Sequence, residues 1–481
     1  MTGGVAAVDL GATSGRVVVG EVGADTLATT TIARFANEPV FAGDGLHWNL
    51  VGLYGEVLTG LRAAFARDAG IRSIGVDAWA VDYGLLRGGR SPHGRLLGEP
   101  FHYRDARTAR GVAAVHAHLP HAELAERHGL QFLPFTTLYQ FAAEDPAVVE
   151  AADTALLIPD LIAYWLTGIA RAEVTNASTT GLLRWQSRSW DDALTGILGI
   201  PSRLLPELIS PGETLGALDP EVAAALDAPR GLAVTAVGSH DTASAVVAVP
   251  MKAESAAYIS CGTWGLVGVE VERPVLTPES RAANFTNEGG VDGRIRLLHN
   301  VMGLWVLSET VRGWERRDVA GGGHPIDLPT LLGAAAEVPA SAVPVFDVND
   351  PRFLPPGDMP GRIAAWCDEK GLRPPRTRAE VTRSIIESLA QAFADSVRDA
   401  ARIGGVEVRT IHIVGGGALN ALLCQRTADR SGMPVLAGPV EATALGNVLV
   451  QARATGLVSG TLESLRDLVA RTHPPRTFSP T

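Results

Sequence analysis

The 481-residue chain is poor in several things that would have fixed its class. It has only three cysteines, Cys261, Cys367 and Cys424. An odd number without metal-like spacing points to a reducing compartment, and a chain this long needs no disulfide staples. Lysine is nearly absent: Lys252 and Lys370 are the only two, so the cations are arginines. No G-x-x-x-x-G-K-[ST] segment occurs, which excludes a Walker-type phosphate loop. No run approaches about eighteen uninterrupted apolar residues, so no membrane-spanning helix is expected. The opening MTGGVAAVDLGATSG lacks the charged start and long apolar stretch of a secretory signal. Positive charge is also short. A net charge of −11 argues against a nucleic-acid partner. It leaves anionic small molecules open, because helix N-termini and glycine-rich turns hold phosphate without net positive charge. A cytoplasmic protein is the simplest expectation.

What is present is ordinary globular composition, 46% apolar and 19% charged, with length for two to three domains. Short apolar runs alternate with helical patterns, which is α/β texture. GGVAAVDLG and SGRVVVGEV predict two strands joined by a tight turn, NLVGLYGEVLTGLRAAFARDAG a helix ending near Gly70, and IRSIGVDAWAVDYGLL a strand running into a hairpin. Loops are expected near 205–220, 318–326 and 354–361. AAVDLGATSGRVVVGEV (6–22) recurs in form as AAYISCGTWGLVGVEV (256–271), about half a chain later. A duplicated domain with two facing turns is the natural reading, with chance similarity of two hairpins as the alternative.

Several stretches carry candidate chemistry. In DLGATSGR, Gly11 and Gly15 suit positive φ, the small residues Ala12, Thr13 and Ser14 let backbone amides face a ligand, and Arg16 adds a guanidinium. The turn fits a phosphate cradle or an ordinary hairpin. Asp9 beside it suits a hydrated Mg²⁺. SCGTWGL offers Thr263 in a matching turn. Two such turns would clamp a triphosphate between two domains. HIVGGGALN, a strand, a glycine triplet and a helix, brings Gly416 close to a flat or anionic ligand, or is a tight turn only. In GLAVTAVGSHDTASAVVAVP, Asp241 stands in a run that otherwise reads as core. It is balanced there by a pair with His240, or it faces a cleft where a carboxylate serves as a base. GVDAWAVDYG places Asp77, Trp79 and Asp82 together: a ring to stack on a sugar with oxygens to take its hydroxyl protons, or a core tryptophan. Asn300 reads as a polar group in an apolar helix, and TNASTTG and NFTNEGG as polar loops.

AVDLGATSGRV, SIGVDAWAVDYGLL, YRDARTARGV, GLQFLPFTTLYQ, SHDTASAV, YISCGTWGLVG, NFTNEGG, NVMGLW, HIVGGGALN and AGPVEATALGN together resemble the FGGY carbohydrate kinases over residues 7 to about 447. The resemblance implies two actin-like (ribonuclease-H-like) domains with an interdomain cleft, divided as 1–248, for sugar and the first phosphate loop, and 249–481, for ATP. It implies phosphorylation of L-rhamnulose at its 1-hydroxyl by ATP with Mg²⁺, in a monomer or homodimer. By the same resemblance Asp241 is the base. His240, Thr242, Asn300, Trp79 and Ala80 lie at the sugar; Ala12, Thr13, Ser14, Gly15, Arg16, Thr263, Ser308 and Gly416 at ATP; Asp9 near the metal. Two positions depart from the family pattern: Ala80 stands where glycine is usual, and Ser308 where glutamine is. The first bears on which ketose is taken, with L-fuculose or L-xylulose as alternatives, the second on nucleotide affinity. A non-catalytic sensor binding nucleotide and sugar is the alternative of another class.

Overall fold

The chain opens on an antiparallel pair, β1 (Gly3–Leu10) and β2 (Ser14–Gly23), in the computed structural model, which describes residues 2–88, 94–320 and 324–481. β1 is buried from Gly4 to Leu10, as a strand covered on both faces must be. β3 (Thr26–Ala36) continues the meander, and β4 (Ile71–Ala78) lies parallel to β1 on its other side. With β5 (Thr214–Ala217) and β6 (Ala233–Thr235) the sheet order is β5-β6-β4-β1-β2-β3. Crossing from β1 to the parallel β4 needs a helix. That helix is α1 (Leu50–Arg67), which is capped by the Asn49 side chain and buries Leu50, Leu53, Val57, Leu61 and Phe65 along one stripe. After β6 the chain passes straight into the short α2 (Asp241–Val247).

A second sheet repeats the opening theme. β7 (Ala256–Cys261) and β8 (Gly265–Val271) form an antiparallel hairpin, and β9 (Thr410–Val414) lies parallel to β7. β10 (Val435–Ala437) and β11 (Arg476–Phe478) extend it in the order β8-β7-β9-β10-β11. Its helices are α3 (Trp305–Ala320), α4 (Arg378–Gly404) and α5 (Ala421–Ser431). α4 starts with a capping box of Thr377 and Glu380 and stops at left-handed Gly405. α6 (Ala442–Ala454) then returns to the first sheet. It approaches α2 so closely that a Cβ on Gly446 would sit 1.7 Å from the Ser244 carbonyl oxygen. The chain accordingly divides into two units. One holds the chain up to Pro250, Val271–Leu297 and Ala442–Pro474; the other holds Met251–Glu270, Leu298–Glu441 and Pro475–Thr481.

Both repeated stretches are thus strand–turn–strand. Other details differ from expectation. Gly11 and Gly15 have ordinary negative φ; Gly15 is crowded, since a Cβ there would lie 2.2 Å from the Phe35 ring. After β4 the chain leaves the sheet, and its hairpin partner is in another one: Tyr83–Arg87 pairs with Arg95–Leu96 and Thr154–Leu157. Asn300 lies on a strand, Ile295–Val301. NFTNEGG contains the buried strand Thr286–Gly289. TNASTTG contains a helical turn, Val174–Ala177, whose Thr175 and Asn176 are fully buried. Short strands and a helix start occupy much of 205–220, and Met359 starts a helix within 354–361. Of the loop expected near 318–326, α3 takes residues through Ala320, and 321–323 lie outside the described residues.

Candidate functional site

Strand register builds a row of charge across the first sheet. Arg34 on β3 pairs with Arg16 on β2, Arg16 with Asp9 on β1, and Asp9 with Asp77 on β4. Cross-strand partners share a face, so two cations and two carboxylates line up. Arg16 donates through Nε (2.8 Å) and Nη2 (2.6 Å) to Oδ2 of Asp9, whose Oδ1 takes no hydrogen bond among the described residues. Burial pushes the Asp9 carboxyl up, Arg16 pulls it back, and nearby Asp241 pushes it up again. Asp77 is fully buried and held well above the usual carboxylate range by that burial and by Asp9, against a 2.5 Å hydrogen bond from Asn447 Nδ2 on α6. Its Oδ1 has no hydrogen-bond partner among the described residues.

The turn after Asp9 is pinned from outside. Asn37 donates from Nδ2 to the Gly11 carbonyl (2.9 Å) and from its backbone N–H to the Thr13 carbonyl (3.1 Å). With these carbonyls engaged, the amides of Ala12 and Thr13 make no hydrogen bond among the described residues. They are donors on a half-exposed turn, which is what an anion needs.

Asp241 opens α2, and Ser239 and His240 lead into it. Ser239 hangs on the buried Glu173, whose Oε2 accepts from its N–H and its hydroxyl, both at 2.9 Å. His240 joins the end of β4 by a bridge to Ala78. One oxygen of Asp241, Oδ1, accepts from the Thr242 hydroxyl at 2.9 Å and lies 3.4 Å from His240 Nε2. Oδ2 has no partner among the described residues, and the side chain is 31% exposed. The carboxylate is therefore neither core nor locked in a closed ion pair.

Trp79 and Ala80 follow β4 in a tight turn. Asp82 N–H bonds the Ala80 carbonyl at 3.0 Å, and Val81 between them has φ 70°. That is a three-residue turn of the rare, strained hand, and a β-branched residue at positive φ is an outlier. Thr137 Oγ1 (2.7 Å) and Gln140 Nε2 (3.3 Å) both donate to the Val81 carbonyl and hold it there. Asp82 is fully buried. It accepts from Trp48 Nε1 (2.6 Å), Trp79 Nε1 (3.0 Å), Gln140 Nε2 (2.7 Å) and Tyr103 N (3.2 Å). Burial pushes it up to about 6 while those donors pull it down. Asp77 and Asp82 are thus closed to a sugar hydroxyl; the half-buried face of this turn belongs to Ala80 and Val81.

In the second unit the β7–β8 turn rests on the start of α3. Leu304 N–H reaches the Gly262 carbonyl (3.0 Å), and Trp305 N–H the Thr263 carbonyl (3.1 Å). A Cβ on Gly303 would lie 2.3 Å from the Trp264 backbone. Thr263 is half-buried and Ser308 exposed. In the glycine triplet, Gly415 and Gly417 pack against Cys261, where a Cβ would come within 2.9 and 2.3 Å; Gly416 is exposed with nothing within 4 Å.

A model of the N-terminal domain of the FGGY family of carbohydrate kinases matches residues 5–248, and one of the C-terminal domain matches residues 257–455. The chain belongs to the FGGY family. Among curated relatives it is 41% identical to a rhamnulokinase of Pectobacterium atrosepticum, over 99% of this chain and 93% of that one. It is 36% identical to a rhamnulokinase of Bacteroides thetaiotaomicron, over 98% and 95%. Among solved structures a ligand-bound xylulose kinase and a gluconate kinase of Lactobacillus acidophilus align with TM-scores of 0.78 and 0.79 at 17% and 16% identity. They cover 99% and 100% of this chain and 94% of each of theirs. These share the actin-like, ribonuclease-H-like two-domain fold.

This FGGY chain has, among its described residues, no group of three or more His, Cys, Asp or Glu side chains that could hold a metal by themselves. Mg²⁺ does not ask for one, since it keeps waters and uses one or two carboxylates plus phosphate. The unpartnered Asp77 Oδ1 beside Asp9 is a place whose charge repulsion such a cation relieves, so the residues fit it. Asn37, Glu173 and Asn447 escaped the reading of the sequence. Only a polar residue in an apolar setting, as in RAEVTN and TALGN, marked the last two.

Proposed function

We propose that the chain phosphorylates L-rhamnulose, transferring the γ-phosphoryl group of ATP to the 1-hydroxyl and releasing L-rhamnulose 1-phosphate and ADP. The observation that carries the chemistry is Asp241, with Oδ1 anchored and Oδ2 open. The choice of sugar rests on the rhamnulokinases at about 40% identity. Phosphoryl transfer asks a protein mainly for positioning and charge neutralisation. Asp241 Oδ2 orients the sugar hydroxyl and takes its proton as the oxygen attacks. Trp79, Ala80, His240, Thr242 and Asn300 lie at the sugar, with Thr242 acting through its bond to Asp241. The amides of Ala12 and Thr13 meet the phosphate oxygens, and Ser14, Gly15 and Arg16 frame that turn. Thr263, Ser308 and Gly416 take the nucleotide. Mg²⁺ at Asp9 would offset phosphate charge. The domains run 1–248 for sugar and 249–481 for ATP, in a cytoplasmic monomer or homodimer. No described helix is long and apolar enough to cross a membrane.

The test is turnover of Mg-ATP with a panel of ketoses, read by ADP release. L-Rhamnulose is expected to give the highest kcat/KM; L-fuculose or L-xylulose in first place would overturn the sugar assignment. Asp241→Asn is expected to fold and bind ATP but to lose at least ~10²-fold in kcat. Near-normal turnover would remove Asp241 as the base.

A further inference from the structure

Behind His240 lies a buried ion pair, Arg296 with Glu288. Arg296 is fully buried. Its Nε donates to the Gly289 carbonyl at 2.9 Å. Its Nη2 lies 3.0 Å from His240 Nδ1 and 3.2 Å from Oε2 of the buried Glu288. That same Glu288 oxygen is 3.3 Å from His240 Nδ1. Burial opposes ionisation of Glu288, but the Arg296 guanidinium beside it draws its carboxyl below the usual value.

A guanidinium has donors only. With Nη2 donating to Nδ1, that nitrogen must be the bare one, and the proton of a neutral ring sits on Nε2. Nε2 is the nitrogen that faces Asp241 Oδ1. Glu288, an acceptor, then pairs with Arg296 and balances its charge.

We propose that Arg296, charge-balanced by Glu288, is a positioning residue that acts through His240: it fixes the ring with Nε2–H toward Oδ1 of Asp241, so that Oδ2 alone meets the sugar hydroxyl. This rests on Asp241 as the base. Partners that orient a reacting group from one layer out commonly matter by an order of magnitude or more, and the ring nitrogen that carries the proton is set by the bond made at the other.

The test is a double-mutant cycle on the full-length enzyme, with kcat, KM for L-rhamnulose, KM for ATP and melting temperature as readouts. Arg296→Lys keeps the charge beside Glu288 but loses the planar fork. It is expected to lower kcat about 10-fold with KM for ATP unchanged. His240→Gln keeps an N–H for Asp241 without a tautomer to select, so adding Arg296→Lys to it is expected to lower kcat no further. Equal losses in both backgrounds, or a folded Arg296→Lys with full kcat, overturn the proposal. If Arg296→Lys does not fold, ¹⁵N spectra of the histidine rings in the intact enzyme decide, with His240 assigned from its absence in His240→Gln. Protonated Nε2 and bare Nδ1 support the proposal; protonated Nδ1 with bare Nε2 sinks it. An active Asp241→Asn would instead remove the reading beneath it, whatever the cycle shows.

Discussion

In the β1–β2 hairpin the position one residue before the strand end is Asp9, its partner across the hairpin is Arg16, and its neighbour on the parallel strand is Asp77. In the β7–β8 hairpin the same three positions are Ser260, Leu266 and Val414. The scaffold is alike down to register. Gly15 and Gly265 both follow the turn, and each is crowded by a phenylalanine, Phe35 and Phe393. The first hairpin nevertheless carries a row of charge at its turn, and the second carries none. The lesson is that the strand–turn–strand scaffold supplies backbone donors, while the row beside the turn decides whether a site can also handle charge and protons. The first hairpin can do both; the second is left with amides and the Thr263 hydroxyl.

The largest expected effect comes from erasing that difference. Asp9→Asn is predicted to lower kcat at least ~10²-fold, through loss of the carboxylate that would hold a charge-neutralising Mg²⁺ at the reacting phosphate. Steady-state turnover at saturating L-rhamnulose and ATP checks it. Next come the matched glycines. Gly265→Ala is predicted to cost about 1–3 kcal/mol in denaturant unfolding, because a Cβ would lie 2.6 Å from the ring of Phe393, which is fully buried. Gly15→Ala is predicted to cost less, because Phe35 is only half-buried and can swing aside. Equal costs would show that the two turns are not packed as described. Thr263→Ala is predicted to raise KM for ATP by about 5- to 10-fold, the equivalent of one hydrogen bond of ~1 kcal/mol. Smallest of all is Gly262→Ala. Nothing lies within 4 Å of a Cβ there, so the melting temperature should stay put.

Both hairpins were legible in the sequence because period, glycine and hydroxyl sit within a dozen residues. So were the strand–glycine–helix at 410–431 and a carboxylate standing out in the apolar run at 231–250. Asn300 reads as helical because LLHNVMGLW is apolar apart from His299 and Asn300 and shows neither period; the strand ends at Val301 and α3 begins at Trp305. The partners that finish the site could not be seen. Asn37 reaches back 26 positions to Gly11, Glu173 lies 66 positions from Ser239, Arg296 lies 56 from His240, and Asn447 lies 370 from Asp77. No local pattern links residues so far apart. For Asp77 and Asp82 the sequence left two readings open, a sugar contact or a core. Carboxylates beside a tryptophan fit either; both are buried, with Asp77 Oδ2 turned to Asn447 and Asp82 to four protein donors.

The Asn447–Asp77 bond has a consequence for how the molecule is made. α6 donates to Asp77 through Asn447 and to the Ala6 carbonyl through Gln451, across 370 and 445 positions. While a ribosome is still reading the middle of the message, the oldest strands have left its tunnel but lack the segment that covers them. The unit that holds β1 is therefore completed only once α6 has emerged, and a nascent chain released before that leaves the Asp77 carboxyl without its Asn447 donor.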